Sequence, residues 1–273
     1  MHDIGGTQSI VRGVGLLKIV AEGPPDGLTL AQVAERRGLH RATAHRLLAA
    51  LTRERLVEQD ASHRYHPGVE LWVLGAAAAR RFDIREICRP ALERLATQTQ
   101  DTVYLSVRSG HEAICVARCE GAFPIRTLSL SVGDRRPLGV GSGSLALLAF
   151  LSETDRHEVL GAIAVQLTRY PGFSATGIRR LVDETRTRGY SFVGGTILPG
   201  MSAFGVPILD RHGHAIAALS VAAIDARMAD PRLSKIVRLV QSQAAAVSSR
   251  LSPDRRAQPM RSPAIHGKDR RRA

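Results

Sequence analysis

The stretch that decides the fold of the N-terminal part of the chain is LTLAQVAERRGLHRATAHRLLAALTR, residues 28–53. Thr29 is a favourable N-cap residue, and Gln32 three positions later completes the pattern of a capping box. Gly38 follows as the left-handed residue that ends a helix. A second helix over about 40–53 has apolar residues at the spacing of a buried face. Two short helices joined by a tight turn that contains glycine indicate a helix-turn-helix.

The flanking residues extend this pair into a larger unit. Residues 56–59 and 64–66 have the pattern of two short strands, with a turn at 60–63 between them. An earlier helix is predicted over residues 8–22 and ends at the strong breaker 23–27. A hairpin directly after the second helix of the pair predicts a winged helix-turn-helix.

The outer face of helix 40–53 has the residue types that contact DNA. A recognition helix fits the major groove, where exposed side chains reach base edges or phosphates. The residues expected to contact DNA are Arg41, Thr43, His45 and Arg46 on the helix and Arg64 on the wing. For any one of them, a role in keeping the helix face solvated is an equally good interpretation. The unit as a whole favours DNA because its turn, helix lengths and wing agree.

The net charge is a weaker indication of a nucleic-acid partner. The 273 residues include 38 Lys+Arg and 25 Asp+Glu, a formal net charge of +13. Residues 1–75 contribute only +1 of this, whereas the last 21 residues, 253–273, contribute +5. A positive total favours polyanions without specifying one. The tail is expected to be disordered, and it either adds nonspecific, salt-sensitive DNA affinity or has no role.

The middle of the chain is expected to connect two domains. Residues 68–98 have a helical pattern, and we assign 68–90 to a linker helix. Trp72 is the only tryptophan, and we expect it to be a buried anchor between the domains. An apolar helix in this position is also a common place for subunits to pair.

The rest of the chain alternates strands and helices and predicts a mostly antiparallel sheet. The expected strands are 102–108, 112–118, 124–131, 190–193, 204–209 and 215–223. The expected helices are 143–151, 153–159, 176–188 and 233–251. This order is typical of sensor domains that hold a small molecule between a curved sheet and a layer of loops and helices.

Over about residues 8–252, the chain resembles the IclR family of bacterial transcriptional regulators. The N-terminal resemblance lies in residues 28–39 and 43–48. The C-terminal resemblance lies in VGDRRPLGVGSG (132–143), LLAF (147–150), RGY (188–190) and PGMSAFGVP (199–207). It implies a homodimer or homotetramer with a winged helix and a GAF-like effector-binding domain. Such a protein binds double-stranded operator DNA and changes affinity when a small organic acid binds.

The resemblance also implies a set of effector contacts. Aligned with the pocket of the family, they are Leu138, Gly141, Ser142, Ala203 and Ser220. The physical chemistry supports an anion there, because the loop 141–143 opens a helix whose free N–H groups and dipole favour a carboxylate. The Ser220 hydroxyl can donate a hydrogen bond, and the small residues leave space.

The sequence departs from the family pattern at positions that bear on the ligand. Ser144 stands where the family usually has lysine, and Val193 and Thr196 stand where it usually has an acidic pair. Ala203 stands where a cysteine or another small residue is common. Fewer polar groups imply a pocket more apolar than those for two- or three-carbon acids. Our hypothesis is an aromatic or longer hydrophobic acid.

The sequence lacks the patterns of common enzyme and cofactor sites. The glycines at 139, 141 and 143 do not form a dinucleotide fingerprint, and no nucleophile elbow is present. Cys115 and Cys119, four apart on a predicted strand, are expected to share a face and to be buried rather than to bind zinc. We therefore expect no enzyme activity, no cofactor and no metal.

The apolar runs are shorter than the ~18 residues of a membrane span, and no secretory signal is visible, so we expect a cytoplasmic protein with no membrane partner.

The predicted class is α+β, with a winged helix-turn-helix, a linker helix and a GAF-like effector-binding domain with an antiparallel sheet. The expected parts are a DNA-binding domain at 1–67, the linker helix at 68–90, the effector domain at 91–252 and the disordered basic tail at 253–273. The predicted function is a ligand-responsive transcriptional regulator. The alternative is a small-molecule sensor or enzyme whose helix-turn-helix serves protein contact.

Overall fold

The computed structural model describes residues 7–81, 84–126 and 128–251, and the chain forms two compact units that divide after residue 83. The helices of the first unit are α1 (Gln8–Ala21), α2 (Leu30–Arg37), α3 (Arg41–Arg53) and α4 (Val69–Arg81). Its strands are β1 (Leu28–Thr29), β2 (Val57–Gln59) and β3 (Arg64–Pro67). They form an antiparallel sheet in the order β1-β3-β2. The predicted winged helix-turn-helix is confirmed, and the tail predicted over 253–273 lies outside the described residues.

The turn between α2 and α3 forms as its residues predict. The Thr29 side chain accepts a hydrogen bond from the backbone N–H of Gln32, and the Gln32 side chain accepts one from the backbone N–H of Thr29. Gly38 ends α2 with φ 68°, a left-handed conformation that favours glycine. The buried residues of this unit form one core: Leu16, Val20, Leu28, Val33, Ala34, Ala44, Leu48, Val57 and Tyr65. The short strand β1, which the sequence did not predict, pairs with β3.

Helix α4 differs from the prediction for Trp72. The Trp72 side chain is 76% exposed, and Val69, Val73 and Leu74 on the same helix are exposed as well. The expectation of a buried anchor is therefore wrong. The reason is that an apolar pattern identifies the apolar side of a helix but does not show what that side packs against.

The second unit contains a six-stranded sheet with helices on both faces. Its strands are β4 (Thr102–Ser109), β5 (Glu112–Cys119), β6 (Arg135–Pro137), β7 (Ser191–Gly194), β8 (Met201–Leu209) and β9 (Ala215–Ile224). Its helices are α5 (Ile84–Thr99), α6 (Ser142–Ala149), α7 (Glu153–Ala162), α8 (Ala175–Arg188) and α9 (Arg232–Leu251), with 3-10 turns at Gln166–Arg169 and Asp225–Arg227. The strand order is β6-β5-β4-β9-β8-β7, and every neighbouring pair is antiparallel.

The two faces of this sheet bury separate cores. Helices α5 and α9 pack on one face around residues such as Leu95 and Val240. Helices α6, α7 and α8 pack on the other around residues such as Leu147 and Ile178. The predicted α+β class is confirmed, and the start of α6 lies against the middle of the sheet.

The described residues within the predicted strand 124–131, namely 124–126 and 128–131, are not a strand, so that prediction is wrong. The Ser129 carbonyl accepts a hydrogen bond from Arg136 Nη2 at 2.6 Å, and the Leu130 carbonyl accepts one from Arg118 Nη1 at 3.1 Å. Arginine side chains therefore satisfy backbone groups that a neighbouring strand would otherwise bind. The outer strand on this side of the sheet is β6.

The two cysteines of β5 do not share a face, contrary to the prediction. Ser106 of β4 pairs with Cys115, whereas Leu105 pairs with Ala117, which leaves Val116 as an extra residue in a β-bulge. An extra residue reverses the alternation of side chains beyond it. Cys115 therefore packs with Tyr104 on the α6 side, and Cys119 packs against the α5–α9 core.

Candidate DNA-recognition helix and ligand pocket

Helix α3 presents a polar face with positively charged side chains. Ala44 and Leu48 are buried, whereas Arg41, His45 and Arg46 are exposed on the opposite side. Within the part of the chain that the structure describes, the side chains of these three residues make no hydrogen bond or ion pair. Thr43 is half-buried at the edge of this face. Three donors are thus available on one helix face, which is the arrangement that a major-groove reader requires.

The wing is held by a hydrogen-bonded aspartate. Asp60 accepts hydrogen bonds from the backbone N–H groups of Ser62 and Arg64, and His66 Nε2 lies 2.9 Å from its other oxygen. The backbone N–H of Arg64 is the largest cause of a lowered pKa at Asp60, because a carboxylate that accepts hydrogen bonds is stabilised in its charged form.

Arg64 itself differs from the α3 residues because its side chain has partners within the same unit. Its Nη1 donates to the Gly27 carbonyl at 3.0 Å and lies 3.2 Å from a carboxylate oxygen of Asp26. The guanidinium is half-buried between these groups. Contact with DNA would therefore involve its remaining donors.

The second unit contains a pocket between the sheet and the start of α6. Its volume is about 690 Å³ when the open space at its mouth is included. Its lining residues on the strands include Tyr104, Ser106, Cys115, Ala203, Ser220 and Ala222. Its apolar wall is formed by Leu130, Val140, Val193, Ile197, Leu198 and Met201.

The start of α6 is pressed against the sheet by a close backbone approach. Ser191 Oγ donates a hydrogen bond to the Ser142 carbonyl at 2.7 Å. Gly205 of β8 makes this approach possible, since a Cβ on it would lie 2.6 Å from the same carbonyl oxygen. Gly141 precedes the helix with φ 92°, and no side chain caps the helix start. The first N–H groups of α6 are therefore left for a ligand or water.

The hydroxyls of two serines on the sheet face this helix start. Ser106 and Ser220 are each 4% exposed, and both line the pocket. Their Oγ atoms lie 3.3 and 3.1 Å from the position that a Cβ on Gly143 would occupy. Neither hydroxyl makes a hydrogen bond with another described residue. Both hydroxyls are therefore available from inside the pocket to a polar ligand atom or to water.

Arg136 is a charged pocket residue that the sequence did not identify. It is half-buried, its Nη2 donates to the Ser129 carbonyl, and its Nη1 lies 3.3 Å from the position of a Cβ on Gly141. Among the described residues, no carboxylate lies within ion-pair distance of it. Burial is the largest cause that lowers the pKa of this guanidinium, which stays charged because arginine does not deprotonate in proteins. Arg135 and Arg136 are adjacent in β6. The register of this strand turns Arg136 toward the pocket and leaves Arg135 exposed.

Four of the five residues expected to bind an effector lie around this pocket. Gly141, Ser142, Ala203 and Ser220 line it. Leu138 does not, since it is fully buried in the core formed with α6, α7 and α8. Sequence reasoning missed Tyr104, Ser106, Cys115 and Arg136, and the alternation of β4 residues opposite Ser220 was the signal that could have found Tyr104 and Ser106.

Comparison with known proteins identifies both units. Residues 9–61 match the IclR helix-turn-helix domain, and residues 76–249 match the bacterial transcriptional regulator IclR C-terminal domain. The chain belongs to the IclR family. The HTH-type transcriptional regulator BhcR of Paracoccus denitrificans is 30% identical over 256 residues, which cover 92% of this chain and 90% of that protein. The chain is accordingly a transcriptional regulator of the IclR type, with a DNA-binding domain and an effector-binding domain.

Solved structures of the IclR family have the same fold. An IclR transcriptional regulator from Alicyclobacillus acidocaldarius is 28% identical, with a TM-score of 0.74 over 88% of this chain and 97% of its own. An IclR homolog from Microbacterium hydrocarbonoxydans, complexed with 4-hydroxybenzoate, is 23% identical, with a TM-score of 0.74 over 89% of this chain and 99% of its own. Across residues 7–81, 84–126 and 128–251, no helix is long and apolar enough to cross a membrane.

Proposed function

We propose that this IclR-family regulator binds operator DNA through Arg41, Thr43, His45 and Arg46, with Arg64 as a wing contact. We propose further that an apolar monocarboxylic acid, aromatic in the first instance, binds the pocket beside α6 and changes the affinity for DNA. The observation that carries the second part is a pocket that combines the uncapped start of α6 with unpaired polar groups and apolar walls. The protein would act by binding and not by catalysis.

The chemistry of α3 supports the DNA contacts. Arginine donates two hydrogen bonds to guanine or binds phosphate, and histidine and threonine donate to either. The exposed face of α3 is positively charged, and its arginines at 41 and 46 have no acidic partner among the described residues. Loss of a bidentate base contact costs ~1–3 kcal/mol of discrimination.

The lining of the pocket supports an aromatic acid. The side chains of Val193, Ile197 and Met201 offer apolar contact to a ring. The Microbacterium neighbour was solved with 4-hydroxybenzoate, and this provides a first ligand to test here.

Exposed apolar residues support a homodimer. Ile10, Val11 and Val14 on α1 are exposed, as are Val69, Trp72, Val73 and Leu74 on α4. Such clustered exposure in a soluble regulator is typical of a subunit interface. A second copy of this chain would also place two α3 helices to read an inverted repeat, as symmetric regulators do. A tetramer would be a pair of such dimers.

The DNA part is tested by selecting genomic fragments with the purified full chain. We expect enrichment of an inverted-repeat site, and we expect Arg41→Ala and Arg46→Ala each to raise the Kd for that site by ~5- to 150-fold. Lys18→Ala is the matched control, since it removes one exposed positive charge from α1 and not from α3. Equal losses in all three variants would indicate a nonspecific charge effect and contradict base contacts by α3. No enriched site, or unchanged function in Arg41→Ala and Arg46→Ala, would favour a helix-turn-helix that serves protein contact.

The effector part is tested by thermal unfolding with panels of acids. Benzoate and 4-hydroxybenzoate are expected to raise the melting temperature, whereas glyoxylate and pyruvate are not. The hypothesis is wrong if the two small acids stabilise the protein and the aromatic acids do not.

A further inference from the structure

The pocket contains one cationic side chain, and its position indicates how an effector is oriented. Among the described lining residues, Arg136 is the only lysine or arginine. Its guanidinium lies beside Gly141, directly before the first turn of α6. A fixed positive charge and the positive end of a helix therefore meet at one point. Each favours an anion, and together they favour it more strongly.

We propose that Arg136 forms the ion pair with the effector carboxylate and so makes the pocket selective for monocarboxylates. This inference rests on the proposed effector pocket. The first N–H groups of α6 and the hydroxyls of Ser106 and Ser220 complete the polar end of the site. The rest of the ligand lies against the apolar wall defined above.

The hydrogen bonds of Arg136 leave donors for a ligand. A guanidinium has five N–H donors, and among the described residues this one has a single acceptor, the Ser129 carbonyl. That bond orients the side chain and does not neutralise its charge. Its neighbour Arg135, by contrast, pairs with a carboxylate, that of Glu112 at 3.2 Å.

The charges at the pocket also indicate what it excludes. Asp134 is the only acidic lining residue in the described part of the chain, and it is exposed. Its carboxylate accepts a hydrogen bond from the backbone N–H of Ser131. A ligand with a second negative charge would find no second lysine or arginine among the described lining residues, and the charge of Asp134 would add to the repulsion. Benzoate should therefore bind better than terephthalate, which has a second carboxylate at the far end of the ring.

The test compares the variants Arg136→Gln, Arg136→Lys and Arg135→Gln by calorimetric titration. The ligands are benzoate, 4-hydroxybenzoate, terephthalate and the neutral isostere benzamide. Arg136→Gln is expected to raise the Kd for benzoate by ~10- to 100-fold, the size of a hydrogen bond to a charged group. Arg136→Lys keeps the charge and is expected to recover part of the affinity. Arg135→Gln is the matched control and is expected to bind benzoate as the wild type does.

Benzamide separates the charge effect from damage to the fold. Its affinity is expected to be low in the wild type and unchanged by Arg136→Gln, whose thermal unfolding is measured in parallel. Unchanged benzoate affinity in Arg136→Gln, with the wild type binding benzoate, would overturn the role of Arg136 and leave the proposed pocket intact. Wild-type protein that binds neither aromatic acid would overturn the proposed effector class, and this inference with it. Tighter binding of terephthalate than of benzoate would contradict the monocarboxylate selectivity.

Discussion

Replacement of Gly205 by alanine tests how the pocket is built. The added Cβ would lie 2.6 Å from the Ser142 carbonyl oxygen, 2.8 Å from its carbon and 2.9 Å from Ser191 Oγ. Two of these atoms belong to the backbone of α6, so the helix start must move away from the sheet. Overpacking of this kind costs ~1–3 kcal/mol, and loss of the hydrogen bond between Ser191 and Ser142 adds ~1 kcal/mol.

The expected result of Gly205→Ala is a loss of stability together with a loss of ligand binding. A total of ~2–4 kcal/mol lowers the melting temperature by roughly 4–16 °C for a unit of this size. Gly161→Ala is the control, since Gly161 is exposed in α7 with open space around its Cβ position, and we expect a slight stabilisation. Thermal unfolding followed by circular dichroism measures both. The reasoning is refuted if Gly205→Ala unfolds at the wild-type temperature and still binds benzoate.

Three further predictions concern other parts of the molecule. Asp101 has a side chain that is 1% exposed and is paired with two arginines at 2.8 and 2.6 Å, so Asp101→Asn should destabilise the chain by ~3–5 kcal/mol in denaturant titrations. Burial raises the pKa of Cys115 to about 11 and also raises the pKa of Cys119, so a thiol reagent at pH 8 should react slowly with the native protein and quickly after unfolding. The pKa of Asp60 is lowered in the folded state; its contribution to stability is therefore complete above about pH 4 and is lost as the pH falls further. The difference in unfolding midpoint between the wild type and Asp60→Asn should shrink from pH 6 to pH 3.

The local elements of this protein could be predicted because each depends on neighbouring residues. The capping box at Thr29 and Gln32 and the left-handed Gly38 determine where α2 begins and ends. The apolar run of β9 and the hairpin turn before it likewise predict a strand over nearly its observed length. Signals of this kind require no knowledge of the rest of the chain.

The wrong predictions concern features that depend on residues distant in sequence or on the surroundings of a surface. The arginines that bind the carbonyls of residues 129 and 130 come from other segments. The local pattern that predicted a strand over 124–131 contains no information about them. The bulge at Val116 depends on pairing with β4 and places Cys119 on the face opposite to Cys115, which lines the pocket. Trp72 is apolar but 76% exposed, since an apolar helix pattern does not determine whether the side chain is covered within the chain.

The candidate pocket was predicted only in part for the same reason. Gly141 and Ser142 were implied by the resemblance to the IclR family and supported by the helix start, whereas Ser106 and Arg136 reach the pocket through sheet register. Leu138 stands next to these residues in sequence but is buried in the core. Residues close in sequence to the start of α6 could therefore be predicted as part of the pocket. The side chains that face this helix start from the sheet could not.

The most direct test of the account is whether an acid in the pocket changes the affinity of α3 for DNA. The measurement is fluorescence anisotropy of the selected inverted-repeat DNA at fixed salt, with and without saturating benzoate, for the wild type and Arg136→Gln. We expect benzoate to change the Kd for DNA of the wild type by ~5- to 150-fold, the usual range of allosteric coupling, and to leave that of Arg136→Gln nearly unchanged. An unchanged Kd for DNA when calorimetry shows that benzoate fills the wild-type pocket would contradict the account.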